Sequence, residues 1–311
     1  MALTLIEAAK KNDGNVQKSA IIELYAMNSD ILRVIPFDNI EGNALKYDLE
    51  DALPGVGFRG LNEGYTESTG VINPQVESLV IAGGDIDVDK FIVDTMGTDQ
   101  RAAQEAMKVK ALAHRIGHNF IKGDSESNPK EFDGLQKRLA IGGQQVIDAG
   151  STSGGDALSL AKLDELIDRV DEPNGLLMNK ALRRRLTAAA RNPEVGGYIT
   201  YSKDEFGRRV TQYNDLPILI ADENNQVYKT LAFDEANPGG GSNVGTSIYC
   251  LSVGEQRLQG IQNGEIDVRD IGELEAKPCY RTRIEWYMGL AMYHPRAAAR
   301  LRGIKDAAVT V

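Results

Sequence analysis

The chain is short of the residues that staple or metal-bind small domains. Two cysteines, Cys250 and Cys279, occur in 311 residues, and with no C-x-x-C pair they point to buried thiols in a reducing compartment rather than a disulfide scaffold. Three histidines leave little for metal ligation. No apolar run approaches the ~18 residues of a membrane span, and the stretch from Met1 to Lys11 lacks the apolar centre of a secretion signal. Basic charge is scarce too: 35 Lys and Arg against 45 Asp and Glu give a net −10, which argues against a general binder of nucleic acid or anionic membranes. With 42% hydrophobic and 26% charged residues the composition is that of a globular chain, long enough to bury about three quarters of its unfolded surface.

Catalytic motifs are missing as well. His114 and His118 lie four apart on a helical pattern, but Arg115 stands where a zinc protease has Glu. Asp85-Ile86-Asp87-Val88-Asp89 lacks the later ligands of a calcium loop, with Lys90 at the turn and Met96 at the bidentate position; its alternation describes a half-buried strand with the acids outward. The glycine-rich stretch 239–247 has no Lys for a phosphate and is followed by a strand, so it reads as a flexible surface loop. G-x-S-x-G is absent. Arg183-Arg184-Arg185, the one basic run, lies on a helix whose other face is apolar and reads as a subunit or solvent face. No catalytic, cofactor-binding or metal-ligating residue is assigned, and the expectation is a protein that is not an enzyme.

What is present begins with one long helix. Ala102, Ala106, Val109, Ala113, Ile116 and Phe120 recur at spacings of four and three, while Arg101, Gln104, Glu105, Lys108, Lys110 and Arg115 fill the opposite face. Thr98 is the expected N-cap and Gly123 the expected C-cap. Some 25 residues at 1.5 Å each make a rod of ~37 Å, a spine for the rest.

Before it, residues 1–35 read as a polar arm with short apolar helical pieces that dock on some surface. Two extended pieces, 43–49 and 56–62, flank Leu53-Pro54-Gly55 and read as an open hairpin with little core of its own. Residues 76–93 are strand material broken at Gly83-Gly84. After the helix, the glycine-rich loop 142–155 is the likeliest domain boundary by composition. Then come helices at 157–170 and 180–191, a buried strand at 176–178, and strands at 198–201, 210–213, 218–221 and 247–253. Residues 280–292 alternate cleanly: Tyr280, Thr282, Ile284, Trp286 and Met288 face one way, Arg281, Arg283, Glu285 and Tyr287 the other. Ala297 to Leu301 with Ile304 closes the chain as a helical or extended tail. The class is α+β.

Taken together, these pieces resemble a family, the major capsid proteins of tailed bacteriophages, whose fold encapsulin shells share. Asn43-Ala44-Leu45-Lys46-Tyr47 and Val56-Gly57-Phe58-Arg59-Gly60-Leu61-Asn62 look like that family's extended loop. The spine running into Phe120-Ile121-Lys122-Gly123-Asp124 and Phe132-Asp133-Gly134-Leu135 is similar to its peripheral domain. Leu176-Leu177-Met178-Asn179 and Tyr213-Asn214-Asp215-Leu216-Pro217-Ile218 look like its axial domain. Glu285-Trp286-Tyr287-Met288-Gly289-Leu290 and His294-Pro295-Arg296-Ala297 complete a likeness that covers about 43–304.

The resemblance implies an N-terminal arm (1–37), an extended hairpin loop (38–70), a peripheral domain (71–145 and 275–311) and an axial domain (146–274). It further implies an icosahedral head shell of hexamers and pentamers around double-stranded DNA, bound without sequence specificity, and no membrane. A portal protein is an expected partner. The short stretch before the hairpin implies a separate scaffolding protein, or prior removal of a scaffolding segment. The chain would assemble in the host bacterial cytoplasm and reside in the virion. Lys46, Phe58, Arg59, Asn62, Arg183, Arg184 and Arg185 are the candidates for inter-subunit contact, and Lys46 is also the candidate for the Lys–Asn cross-link some members form. Deleting residues 1–35 is expected to leave a folded subunit. The alternatives are an encapsulin-type compartment and a soluble α/β enzyme using the 239–245 loop.

Overall fold

The structure is a computed structural model that describes residues 29–52, 54–96, 99–191, 197–203, 209–221, 228–242 and 244–310. The readings of the arm before Ser29 and of Thr98 as N-cap lie outside the described residues. In chain order the strands are β1 (Phe37–Asn39), β2 (Ala44–Ala52), β3 (Val71–Ser78), β4 (Val80–Asp89), β5 (Val146–Asp148), β6 (Gly175–Met178), β7 (Ile199–Lys203), β8 (Arg209–Tyr213), β9 (Leu216–Ile220), β10 (Thr246–Leu251), β11 (Leu258–Gln262), β12 (Asp267–Glu273), β13 (Cys279–Met292) and β14 (Ala298–Ile304). The spine is the helix Asp99–Lys122, and shorter helices span Leu160–Asp168 and Lys180–Ala189.

Two sheets organise the chain. In the first, β13 runs centrally, with β4 along one edge and β12 and β11 along the other; β1 adds to β11 in parallel. Thr282, Ile284, Trp286 and Met288 are buried as the alternation requires, and Trp286 donates to Gln262 Oε1 at 3.0 Å while packing 4.9 Å from the Phe37 ring. The spine covers this sheet with Val109, Ala113, Ile116 and Phe120; Ala102, the first member of its stripe, is exposed.

The second sheet has the order β5-β14-β10-β6-β9-β8-β7. Its centre is buried on both faces, since every residue of β10 is buried. Leu177, Tyr249, Leu251 and Ala298 join the core under the spine. Their neighbours Leu176, Met178, Ile248, Cys250, Ala299 and Leu301 join a second core beneath the helices Leu160–Asp168 and Lys180–Ala189. Period-2 side-chain alternation thus makes one sheet the partition between two cores. Within it lies a polar node: Arg300 pairs with Glu235 Oε2 at 2.7 Å and donates to Ser247 Oγ at 3.0 Å, and Ser247 donates to the same Glu235 oxygen, while Glu235 Oε1 is buried with no hydrogen-bond partner among the described residues.

Several sequence readings change. The hairpin partner of β2 is β3, with Ala44 opposite Ser78 and Ala52 opposite Val71, so residues 56–62 are not its second strand. β4 runs through Gly83-Gly84 unbroken, because a side chain at Gly83 would collide with the Ile284 carbonyl of β13. Gly123 stands at the C-cap of the spine, its N–H donating to Asn119 O at 2.8 Å, but without a positive φ; it and Gly134 cross at contact, Gly134 N–H donating to Gly123 O at 2.9 Å, where a Cβ on either would strike backbone. The 142–155 loop contains β5, paired in parallel with β14. The tail after Ala297 is a strand, and it lies in the sheet with β5 to β10, whereas β11 and β12 lie with β13. The second sheet therefore begins at Val146, whereas β11 and β12, before residue 274, belong to the first sheet and β14 belongs to the second.

The arm also ends earlier than residue 37. Ile31, Leu32, Ile35 and Phe37 are buried in the core. Ser29 Oγ accepts from Leu32 N at 3.4 Å, and the Asp30 carboxylate accepts from Ile220 N at 3.0 Å. Deletion of residues 1–35 is accordingly expected to abolish folding, and Leu32→Ala alone to cost ~2–5 kcal/mol, measured by denaturant unfolding; wild-type stability in either variant would place this segment outside the core.

Candidate assembly interface

The hairpin of β2 and β3 is clamped at its root. Tyr47 donates its hydroxyl to Met292 O at 3.1 Å and to Glu77 Oε1 at 3.3 Å, and its ring lies 4.7 Å from that of Tyr293. Burial, with the charge of Glu77, pushes the Tyr47 hydroxyl up to about 12. Arg138 donates to both Glu77 oxygens, at 2.8 Å to Oε2, and to Leu290 O at 3.0 Å. Burial opposes the charge on Arg138, yet the hydrogen bonds and charge of Glu77 hold its pKa above the ordinary value. Leu79 N–H donates to Asn43 O at 2.9 Å, and Asn263 Nδ2 to Gly42 O at 2.8 Å.

Beyond the root the hairpin leaves the body, and residues 54–74 are all exposed. The tip is apolar but locally built. Phe58 is 109%, Leu61 97% and Val56 94% exposed. Gly60 N–H donates to Glu63 Oε2 at 2.9 Å, Arg59 Nη1 donates to Glu63 O at 3.2 Å with its guanidinium 5.4 Å from the centroid of Tyr65, and Ser68 Oγ donates to Gly55 O at 2.8 Å. Asn62 adopts φ +67°, a conformation Asn tolerates better than most residues. Covering a Phe, a Leu and a Val fully is worth ~1.5–3 kcal/mol each, so this tip has a strong drive to be covered.

Of the sequence candidates, Phe58, Arg59 and Asn62 share the tip. Lys46 is exposed on β2, opposite Val76. Arg183, Arg184 and Arg185 sit on the helix Lys180–Ala189 over the second core; Arg184 is exposed, whereas Arg185 pairs with Asp306 at 2.7 Å, so the run is not one free patch. The clamp residues Glu77, Arg138 and Leu290 had no signal in the sequence, because their partnership spans distant segments. In the described part of the 239–247 loop, Gly154 N–H donates to Gly240 O at 3.0 Å, and β10 follows. His114 and His118 are both half-buried on the spine, the latter 5.3 Å from the Tyr228 ring with its pKa lowered by burial and by Lys122 and Arg115.

The outer face of the first sheet carries an ion-pair ladder. Arg283 holds Asp85 at 2.7 and 2.9 Å, and Arg281 holds Asp87 at 2.6 and 2.7 Å. These hydrogen bonds draw both carboxyls below their usual range, as Arg101 does for Asp270.

This architecture, two sheets with a spine helix and a protruding hairpin, is similar to that of solved encapsulin and capsid structures. Residues 12–164 match the family model described as major capsid protein GP7. Among solved structures, the holo-SrpI encapsulin complex from Synechococcus elongatus superposes with a TM-score of 0.64 at 19% identity, covering 90% of this chain and 89% of that one. The capsid of a native GTA particle gives 0.61 at 14% identity over 89% and 90%. Microbacterium phage Oxtober96 gives 0.64 at 11% identity over 89% and 91%. No curated protein matches the sequence. The resemblance read from the residues therefore holds for the fold.

Two outcomes follow from the geometry. Arg138→Ala, which strands Glu77, is expected to raise amide hydrogen exchange across β2 and β3 by roughly tenfold or more, with exchange in β10 unchanged. Asp85, Asp87, Asp270 and Asp124, the last drawn to about 2 by Lys137 and Ser127, have folded values below the ordinary ~3.9. Their contribution is full above that value and is lost as pH falls toward about 2 for Asp124. His118 adds an earlier loss below ~6.5. Melting temperatures against pH should show the steeper fall below ~4, and Asp85→Asn should blunt it.

Proposed function

We propose that this chain is the major capsid protein of a tailed phage, a structural subunit that assembles with its own copies into an icosahedral head shell around packaged double-stranded DNA. The observation that carries the reading is the hairpin tip: Val56, Phe58 and Leu61 are almost wholly exposed on an element without a core, and such a surface is stable in water only as a contact surface. Phe58, Arg59 and Asn62 meet a neighbouring subunit within hexamers and pentamers. The first sheet with the spine forms the peripheral domain, and the second sheet with its two helices the axial domain. Lys46 and Arg184 are further contact residues.

A separate scaffolding protein and a portal protein are the proposed partners, with assembly in the bacterial cytoplasm and residence in the virion. The net charge of −10 suits a wall that encloses DNA without gripping it, since phosphate affinity grows with each paired Lys or Arg. The role is structural rather than catalytic. An encapsulin-type shell has the fold likeness in its favour, while the family-model match is to a capsid protein.

Negative-stain microscopy with light scattering on the chain, expressed with and without a candidate scaffold, tests the reading; closed shells or capsomer rings are expected. Phe58→Asp combined with Leu61→Asp should keep the wild-type melting temperature and yield no closed particles. Arg59→Glu should lower particle yield with the fold intact. Normal shells from the double variant, or a monomer under every condition for the wild type, would overturn the proposal.

A further inference from the structure

We propose that Asn263 is a site of spontaneous deamidation and that its conversion loosens the hairpin root. The sequence contains two Asn-Gly pairs, Asn174-Gly175 and Asn263-Gly264. Glycine after asparagine leaves the next backbone nitrogen unshielded, because no Cβ stands beside it. The two pairs differ in what holds them.

Asn174 is fixed at both ends of its amide: Nδ2 donates to Val253 O at 2.5 Å and Oδ1 accepts from Val253 N at 2.9 Å. Gly175 is buried as the first residue of β6. Asn263 and Gly264 are exposed in the turn between β11 and β12. Gly264 has φ +76° and open space where a side chain would stand.

The chemistry at the exposed pair is complete with water alone. The Gly264 nitrogen gives up its proton to solvent base and attacks Asn263 Cγ. A new N–C bond closes a five-membered imide, the Cγ–Nδ2 bond breaks, and ammonia leaves with the proton. Water then opens the imide at either carbonyl, giving aspartate or isoaspartate. One water is consumed, one ammonia is released, and nothing is oxidised or reduced.

The consequence reaches the hairpin through one bond. Asn263 Nδ2 donates to Gly42 O at 2.8 Å, and Gly42 lies two residues before β2. A carboxylate at 263 has no hydrogen to give and faces the carbonyl oxygen instead. Isoaspartate also lengthens the backbone of a turn positioned by Asn263 N donating to Tyr287 O at 3.2 Å and Ile40 N donating to Gln262 O at 2.8 Å. The Tyr47 and Arg138 contacts remain, so the root loosens without detaching.

The full chain is incubated in mildly alkaline buffer and peptides are mapped by mass spectrometry. Asn263 is expected to convert at least about tenfold faster than Asn174, whose amide keeps two hydrogen bonds against one and whose following glycine is buried in β6. Asn174 keeping pace, or Asn263 remaining an amide while the denatured chain converts it, overturns the site. Asn263→Asp should raise amide exchange of residues 40–46 several-fold with the melting temperature kept. Should that variant fail to fold, Asn263→Ala removes the same bond without the charge and should raise exchange at the same residues; wild-type exchange in the variant that folds overturns the loosening.

Discussion

Strand β13 is the constraint on which the rest of the molecule depends. Its fourteen residues pair with β4 along one edge and with β12 and then β11 along the other, so the two strands just before it and one far earlier in the chain take their register from it. Its inward side chains fill the core under the spine, and its outward Arg281 and Arg283 hold the acids of β4. Its last turn of ladder offers the carbonyls of Leu290 and Met292 to Arg138 and Tyr47. Core, ion-pair ladder and hairpin root are thus fixed by one extended segment.

The second sheet supplies rigidity of another kind. A sheet buried on both faces cannot slip by one residue without exchanging the contents of its two cores. The Arg300, Glu235 and Ser247 node adds a directional restraint at β14 and β10. Burying such charges is costly, by several kcal/mol per ion, unless their hydrogen bonds are met; here Arg300, Ser247 and Glu235 Oε2 meet one another, and Glu235 Oε1 has no partner among the described residues. A body of this stiffness suits the proposed role, in which identical copies must present the same faces many times.

The sequence made the regular elements legible where one face is wet. The spine and β13 announce themselves because their buried and exposed residues alternate with periods of 3.6 and 2. The acids of β4 were correctly placed outward for the same reason. Legibility failed at β14 and β3, whereas the buried strands β6 and β10 show as short apolar runs. β14, with Ala298 and Ala299, has helix-forming residues whose state is decided by the strands on either side, a tertiary override of propensity. β3 is exposed along most of its length and carries Pro74, so nothing in it marks a strand until β2 lies beside it. Of the contact candidates, the tip residues were read from likeness in the loop, while the clamp of Tyr47, Glu77 and Arg138 was invisible because long-range pairing leaves no local pattern.

A hairpin held at its root and free along its length is mechanically a lever. The five residues of β2 beyond Tyr47, at ~3.3 Å each, carry the hairpin ~17 Å from the clamp. A rotation of ~10° at the root therefore sweeps that point through ~3 Å, while the atoms of the clamp move by fractions of an ångström. Neighbours that meet at different angles, as the proposed closed wall of unlike rings demands, can then be reached by one sequence with one packed body, the difference in curvature being absorbed in the joint at the hairpin root.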